Sequence, residues 1–197
     1  MTTAPLTPVP AGRVPVQPRA VARVEGLLTA AGELLAADPE SLTMTAVADR
    51  AGVSIGSLYQ YFPARSSLVR ALAERHLLAG HVRLMKDLGA PAASPSVSLE
   101  RALRRYLELA DDALAVAIMT TIRADPALRA LDRTDTRANA KLALTHLGLP
   151  PADPHLTAMA LVIDLAGHLI IDLATEPASA RPAKTEAFVR LARRAVG

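Results

Sequence analysis

The sequence predicts an all-α protein with about nine helices, and three observations support this class. Apolar residues recur at steps of three and four over most of the chain, which is the spacing of one helix face. No stretch alternates between apolar and polar residues in the manner of a strand, and no internal repeat occurs. The chain has 197 residues, of which 51% are hydrophobic, so it can bury a substantial core.

Composition narrows the classes of function. The chain contains no cysteine, which excludes disulfides and thiolate metal sites. Its net charge is +3, and residues 1–80 hold 7 Lys or Arg against 6 Asp or Glu. The sequence therefore contains no strongly basic arm that would indicate a polyanionic partner. The first residues do not read as a signal peptide, and no uncharged apolar run of about 18 residues occurs. We therefore expect a cytoplasmic protein without a membrane partner.

Residues 1–18 predict a disordered, proline-rich tail, because proline removes backbone donors and prevents a continuous helix or strand. From Arg19 onward apolar side chains line one face of a first helix, which is expected to end near Asp38-Pro39. The prolines of the tail are Pro5, Pro8, Pro10, Pro15 and Pro18. The predicted inner face consists of Val21, Val24, Leu27, Leu28, Ala31, Leu34 and Leu35.

Two short helices follow, joined across the sequence RAGVS. Thr43 is a good N-cap for the first, and Gly52 closes it where a left-handed backbone costs little. Ser54 can cap the second, while Val53 and Leu58 anchor it in the core. Helices joined in this way form a helix-turn-helix, in which the first crosses the DNA backbone and the second lies in the major groove.

The remaining helices are predicted from apolar spacing and from proline. A long helix is expected from Arg65 to Gly89, with Leu68, Leu72 and Val82 on its inner face. The segment APAASPSVS is expected to be a loop because of its proline and serine content, and helical spacing resumes at Leu99. Further helices are predicted over Ala113 to Arg123, a short piece after Pro126, Thr134 to Leu147, Pro154 to Ala174, and Pro182 to Ala195.

The second short helix presents an outward surface that suits DNA. Gln60 can pair bidentately with adenine, and Ile55 can touch a thymine methyl group. The hydroxyl groups of Tyr59 and Tyr61 can donate to phosphates, whereas Phe62 is expected to close the small three-helix core. The predicted DNA-binding residues are Thr45, Ser54, Ile55, Gly56, Ser57, Tyr59, Gln60, Tyr61 and Arg65.

The segment TMTAVADRAGVSIGSLYQYFPARSSLV, residues 43–69, resembles the N-terminal DNA-binding domain of the TetR family of transcriptional regulators. Its most specific elements are the Ala-Gly-Val-Ser turn, the pair Leu58-Tyr59, and Tyr61-Phe62-Pro63 followed by a basic residue and a leucine. The resemblance implies that Tyr59 and Arg65 hold phosphates.

The same resemblance implies a contribution from Thr45 on the preceding helix. This sequence departs from the family at two places. Members often carry a basic residue where Thr45 stands, and often an aromatic residue where Ser41 and Leu42 stand. The first departure weakens the case for base reading by that helix.

The resemblance also implies the organisation of the whole chain. A helix-turn-helix domain would span 19–64, and a ligand-binding and dimerisation domain would span 65–197. Two chains would form an Ω-shaped homodimer that binds a palindromic operator in double-stranded DNA. A small apolar or amphipathic effector in the second domain would then release the operator, with no cofactor and no catalytic step. We therefore expect a repressor.

The helix Pro154 to Ala174 is apolar around most of its circumference, and such a helix is expected to be buried against other protein surfaces. A symmetric partner is the expected cover, since Ala160 and Gly167 permit close approach. The predicted dimer interface comprises Met159, Ile163, Gly167, Ile170, Phe188, Leu191 and Ala195. Small-molecule pockets are mostly apolar and contain a few polar groups that orient the ligand. On this basis, effector contacts are expected among Met85, Tyr106, Met119, Arg123, His146 and His168.

Asp164, His168 and Asp172 lie four residues apart, so they share one helix face. Three interpretations stay open: structural pairing, which is the usual fate of such groups, effector contact, and a metal or catalytic role. No nucleophile motif or phosphate-binding glycine loop supports an enzyme. The other alternative is a DNA-binding or dimerisation module that does not respond to an effector.

Overall fold

The structure, a computed structural model, describes residues 17–196, apart from the side chains of Leu78, Ala79, His81 and residues 131–134. The predicted tail therefore lies almost wholly outside the described residues. Within them the all-α class is confirmed, and no strand occurs. The helices are α1 (Pro18–Ala37), α2 (Met44–Arg50), α3 (Ile55–Tyr61), α4 (Arg65–Gly89), α5 (Pro95–Leu107), α6 (Ala113–Ala124), α7 (Pro126–His146), α8 (His155–Thr175) and α9 (Arg181–Val196), with 3-10 turns at Pro39–Ser41 and Glu108–Asp111.

Two predicted segments differ from the structure. The loop predicted over 90–98 is shorter, because Ser94 caps α5 and Pro95 occupies the first turn, where its missing N–H costs nothing. The predicted short piece after Pro126 and the helix from Thr134 are one helix, α7. Asp125 starts α7 by accepting from the amides of Ala127 and Leu128, and neither proline nor glycine interrupts it before Gly148.

The core has two main parts, and α4 spans both of them. Leu68 and Leu72, near its start, are fully buried with α1–α3, whereas Met85 and Leu88, near its end, pack against α5 and α7–α9. Ile118 of α6 belongs to the first part, so the hydrophobic core crosses the predicted domain boundary at residue 64. The helix-turn-helix is therefore packed directly on the remainder of the chain.

Two apolar residues do not face the core as predicted. Val82 is 51% exposed and Val21 is 42% exposed. At about 100° per residue, Val82 lies about 60° from Met85 and about 120° from Leu88 around α4, so it stands at the edge of the buried face and not inside it. Val21 lies in the first turns of α1, which precede the buried stretch that begins at Leu27.

Helix α8 is long and apolar enough to cross a membrane by length and composition alone, with a mean hydropathy of 1.8. Residues on one of its sides are buried in the core of the protein itself, among them Met159, Val162 and Ile170. The other side carries Asp164 and His168. These features are those of a core helix in a globular protein.

Candidate nucleic-acid interface

Side-chain caps and one left-handed residue fix the geometry of α2 and α3. Thr43 Oγ1 accepts from the amide of Ala46 at 3.1 Å, and Ser54 Oγ accepts from the amide of Ser57 at 3.2 Å. Gly52 has φ +66°, a conformation that a side chain disfavours. The predicted caps and the predicted turn glycine are thus confirmed.

The outward surface of α3 combines apolar, aromatic and amide groups. Ile55 is 41% exposed and Tyr59 is 48% exposed. Gly56 and Gln60 are exposed beside them. Leu58, on the opposite side, is fully buried, so packing fixes which residues of α3 face outward.

The aromatic cluster at the end of α3 divides between surface and core. Phe62 is buried in the N-terminal core, as predicted. Tyr61 is half-buried and its ring packs against that core, so Tyr61 contributes less to the outward surface than predicted. Ser57 is also half-buried. Tyr59 is the aromatic residue of α3 whose ring lies largely in solvent.

Two further predicted DNA contacts flank α3. Thr45 is exposed in the first turn of α2. Arg65 begins α4, and its Nε donates to the carbonyl oxygen of Leu42 at 3.0 Å. This hydrogen bond orients the guanidinium group, while no described residue takes a hydrogen bond from its two terminal nitrogens. Those nitrogens are donors suited to a phosphate oxygen.

Helices α8 and α9 each expose apolar residues that are spaced four positions apart. Leu161, Leu165 and Leu191 are 57%, 45% and 56% exposed, and Ala195 is also exposed. We define these four residues as the α8–α9 face. These exposed leucines are candidates for a protein interface.

The structure corrects several of the predicted interface residues. Met159 and Ile170 are buried within the core of the same chain, because they lie on the inner side of α8. Gly167 is also buried, and the guanidinium group of Arg123 lies against it. Ile163 and Phe188 are half-buried and pack on the chain's own core. The predictions for Leu191 and Ala195 remain compatible with the structure.

The acidic and histidine residues of α8 have basic partners. Arg123 donates from Nη2 to the carbonyl oxygen of Asp164 at 3.1 Å, and its Nη1 lies 3.1 Å from Nε2 of His168. Since arginine only donates, His168 accepts at Nε2, and its Nδ1 donates to the same carbonyl oxygen at 2.9 Å. Asp172 pairs with Lys184 of α9 at 2.7 Å. Structural pairing is thus what the geometry favours.

The predicted effector residues do not line one pocket. Met85 and Met119 are buried in different parts of the core. His146 is exposed and lies against Gly89, whereas Arg123 and His168 are engaged with each other. Tyr106 is half-buried and packs near Met119. No group of three side chains suited to a metal ion occurs among the described residues.

A groove of about 610 Å³ lies elsewhere, between α5, the turn Glu108–Asp111 and the adjoining ends of α8 and α9. Leu107, Ala110 and Leu173 provide its apolar surface, and charged groups of Asp111 and Arg181 stand among the residues that line it. We call it the α5–α9 groove. None of the six predicted effector residues lines it.

Comparisons with known proteins agree with this geometry. The N-terminal domain profile described as "Bacterial regulatory proteins, tetR family" matches residues 27–72. No curated protein sequence matches the chain. A TetR transcriptional regulator from Rhodococcus sp. RHA1 is 25% identical, with a TM-score of 0.64, over 87% of this chain and 95% of the other.

Two other solved structures are similar. A TetR-family transcriptional regulator from Streptomyces coelicolor is 25% identical, with a TM-score of 0.58, over 90% of this chain and 95% of the other. The SmeT–triclosan complex is 20% identical, with a TM-score of 0.52, over 84% of this chain and 91% of SmeT, and it supports the fold alone.

Proposed function

Since residues 27–72 match the tetR-family profile and the fold resembles that of TetR regulators over most of the chain, we propose that this protein is a homodimeric TetR-family repressor that binds a palindromic operator and releases it when a small molecule binds. The surface of α3 carries the DNA-binding part of the proposal. Ile55, Tyr59 and Gln60 are exposed on a helix whose inner side is fixed by Leu58. Members of this family are regulators and not enzymes.

Each exposed group has a defined role in this proposal. Gln60 reads a base edge in the major groove, and Ile55 contacts a thymine methyl group. Tyr59 and Arg65 contact phosphates on either side of the groove, where they position the helix without reading sequence. Gly56 allows the start of α3 to approach the DNA closely, and Thr45 contacts the backbone from α2.

The α8–α9 face supports the dimer. Leu161, Leu165 and Leu191 would lose exposed apolar surface if a second copy packed against them, and burial of such surface is favourable. A two-fold contact would place the same leucines on both sides and would set the spacing of the two α3 helices. The operator is then expected to be palindromic, with half-sites about one DNA turn apart.

For the effector we propose the α5–α9 groove in place of the predicted pocket. Its volume of about 610 Å³ is within the range of small-molecule sites, and it combines apolar surface with a few charged groups. An amphipathic molecule suits this lining. The triclosan complex of SmeT shows that a protein of this fold binds a small molecule.

The test is a selection of random duplex DNA by the full-length protein at physiological salt. We expect wild type to enrich a palindrome, Tyr59→Ala to enrich none, and Val97→Ala to behave as wild type, since Val97 is exposed on α5 away from α3. Enrichment by wild type would then allow ligands to be screened for release of the operator. If folded, dimeric wild-type protein enriched no sequence, the proposed repressor function would be contradicted.

A further inference from the structure

Two consecutive residues of α4 connect the DNA-binding helices to the remainder of the protein. Arg75 donates to the carbonyl oxygen of Leu28 at 3.1 Å and to the carboxylate of Glu25 at 3.3 Å, so it holds α4 against α1. The next residue, His76, is hydrogen-bonded through Nε2 to Oδ2 of Asp112 at 2.8 Å. Because a carboxylate only accepts, His76 is the donor.

Asp112 also begins α6. Its Oδ1 accepts from the amide of Ala115 at 3.0 Å, which caps the helix. Burial acts to raise the pKa of Asp112, but the hydrogen bonds from Ala115 and His76 outweigh it, so the pKa lies below its ordinary value. The carboxylate is therefore ionised at neutral pH, and it joins the start of α6 to the middle of α4.

The preceding residue, Asp111, faces a different partner. Its Oδ1 accepts from Nη1 of Arg181 at 2.5 Å. Arg181 also donates to the carbonyl oxygens of Glu176 at 3.2 Å and Ala174 at 3.5 Å, which lie at the C-terminal end of α8. Since Arg181 is the first residue of α9, one side chain joins α8, α9 and the turn that carries Asp111.

We propose that Asp111 and Asp112 form a coupling element between the dimer helices and the DNA-binding helices. Adjacent carboxylates bind Arg181 on one side and His76 on the other, so a shift of α8 and α9 displaces the cap of α6 and, through His76, α4. Arg181 and His76 are thus positioning residues for DNA binding. The inference rests on the proposed binding of an operator by α3.

The coupling element lies where a bound ligand could regulate DNA binding. Asp111 and Arg181 both line the α5–α9 groove, and the Asp111 side chain is 74% exposed. A ligand that competes for either group would open this ion pair, so the proposed element has a closed state, which the structure shows, and an open state, which the ligand would favour. Such an element can carry coupling only if both sites change its equilibrium.

The test is a double-mutant cycle on operator affinity, using the operator that wild type selects. His76→Leu and Arg181→Gln are each expected to weaken binding about fivefold, and the double variant about as much as one of them. His76→Gln keeps a donor and is expected to restore affinity. Arg190→Gln, which removes only a pair with Glu186 on the same helix, is the control. If the fold-losses of the two single variants multiplied in the double variant, the proposal would be overturned, because the free-energy effects of independent sites add.

A second measurement needs no DNA, so it separates failure of the coupling from failure of the proposed function. We expect Arg181→Gln to speed amide hydrogen exchange in α1 and in the first half of α4, although Arg181 touches neither helix. Arg190→Gln should leave that exchange unchanged. Faster exchange confined to α8 and α9 would mean that Arg181 has only a local structural role, and the coupling element would be rejected.

Discussion

The guanidinium group of Arg123, near the end of α6, occupies the space beside Gly167 in the middle of α8. A Cβ atom at position 167 would overlap Nη2 of Arg123. The absent side chain therefore lets Arg123 reach the carbonyl oxygen of Asp164 and the ring of His168. This contact joins α6 to α8 in the same chain.

Gly167→Ala is expected to be about 1–2 kcal/mol less favourable than Gly26→Ala, because it forces the guanidinium end of Arg123 away from its hydrogen-bond partners. Chemical denaturation measures the change. Gly26→Ala is the matched control, since Gly26 is a helical glycine with no atom near its missing Cβ, and alanine there should stabilise α1 by about 0.5–1 kcal/mol. Equal effects of the two substitutions would show that Arg123 adapts freely.

The two exposed groups of α3 are expected to differ in their effects on DNA binding. Tyr59→Phe removes the hydroxyl group that is proposed to contact phosphate, so it should weaken binding to all sequences to a similar extent. Gln60→Ala should relax preference at particular bases, at a cost of about 1–3 kcal/mol for the preferred base. Repeating the random-duplex selection with each variant checks both expectations. An unchanged base preference in Gln60→Ala would show that Gln60 does not recognise a base.

Thr43 and Thr45 provide a matched pair for separating stability from DNA contact. Thr43→Ala removes the cap of α2 and should lower the free energy of unfolding by about 1 kcal/mol, and Thr43→Ser should restore most of it. Thr45→Ala removes an exposed hydroxyl group and should leave stability nearly unchanged while weakening operator binding. Thermal unfolding and operator titration of each variant provide the comparison, and a large loss of stability in Thr45→Ala would contradict this assignment.

Leu161→Glu is expected to disrupt the proposed dimer, because it would bury an unpaired charge where the α8–α9 face meets a second copy. The loss should exceed about 2 kcal/mol of association free energy. Sedimentation measures the oligomeric state. Val97→Glu introduces the same charge at an exposed valine of α5 and should remain dimeric. A dimeric Leu161→Glu protein would place the interface elsewhere.

Ion pairs between α5 and α9 are expected to give a pH dependence. The hydrogen bond from Arg104 holds the pKa of Glu186 below its ordinary value, although desolvation acts in the opposite direction. The pair therefore stabilises the fold above the unfolded-state pKa of glutamate and loses its effect as pH falls through the lower folded-state value. Urea midpoints of wild type and Glu186→Gln should differ at pH 7, and the difference should shrink as pH falls below the ordinary pKa of glutamate. A constant difference would assign the effect to something other than this charge.

Local chemistry was sufficient to predict much of the helix-turn-helix. Thr43, Gly52 and Ser54 have the conformations predicted for them, because caps and turns depend on residues within three or four positions. The boundaries of α4 were also predicted at Arg65 and Gly89. Leu58 and Phe62 were assigned to the core because the period of a short helix leaves few alternatives.

The sequence by itself thus determined the helical class and the position of the helix-turn-helix, which resembles that of the TetR family, since these depend on short-range spacing. Tertiary structure decided which side of each longer helix is available. Apolar residues lie around most of the circumference of α8, so spacing alone leaves open which of them face inward, and only packing could place Met159 inside and Leu161 outside. Tertiary structure also brought together residues that lie far apart in the chain. Arg123 contacts Gly167, Asp111 pairs with Arg181, and Asp112 pairs with His76. Helical spacing carries no information about such pairs, because it describes one helix at a time.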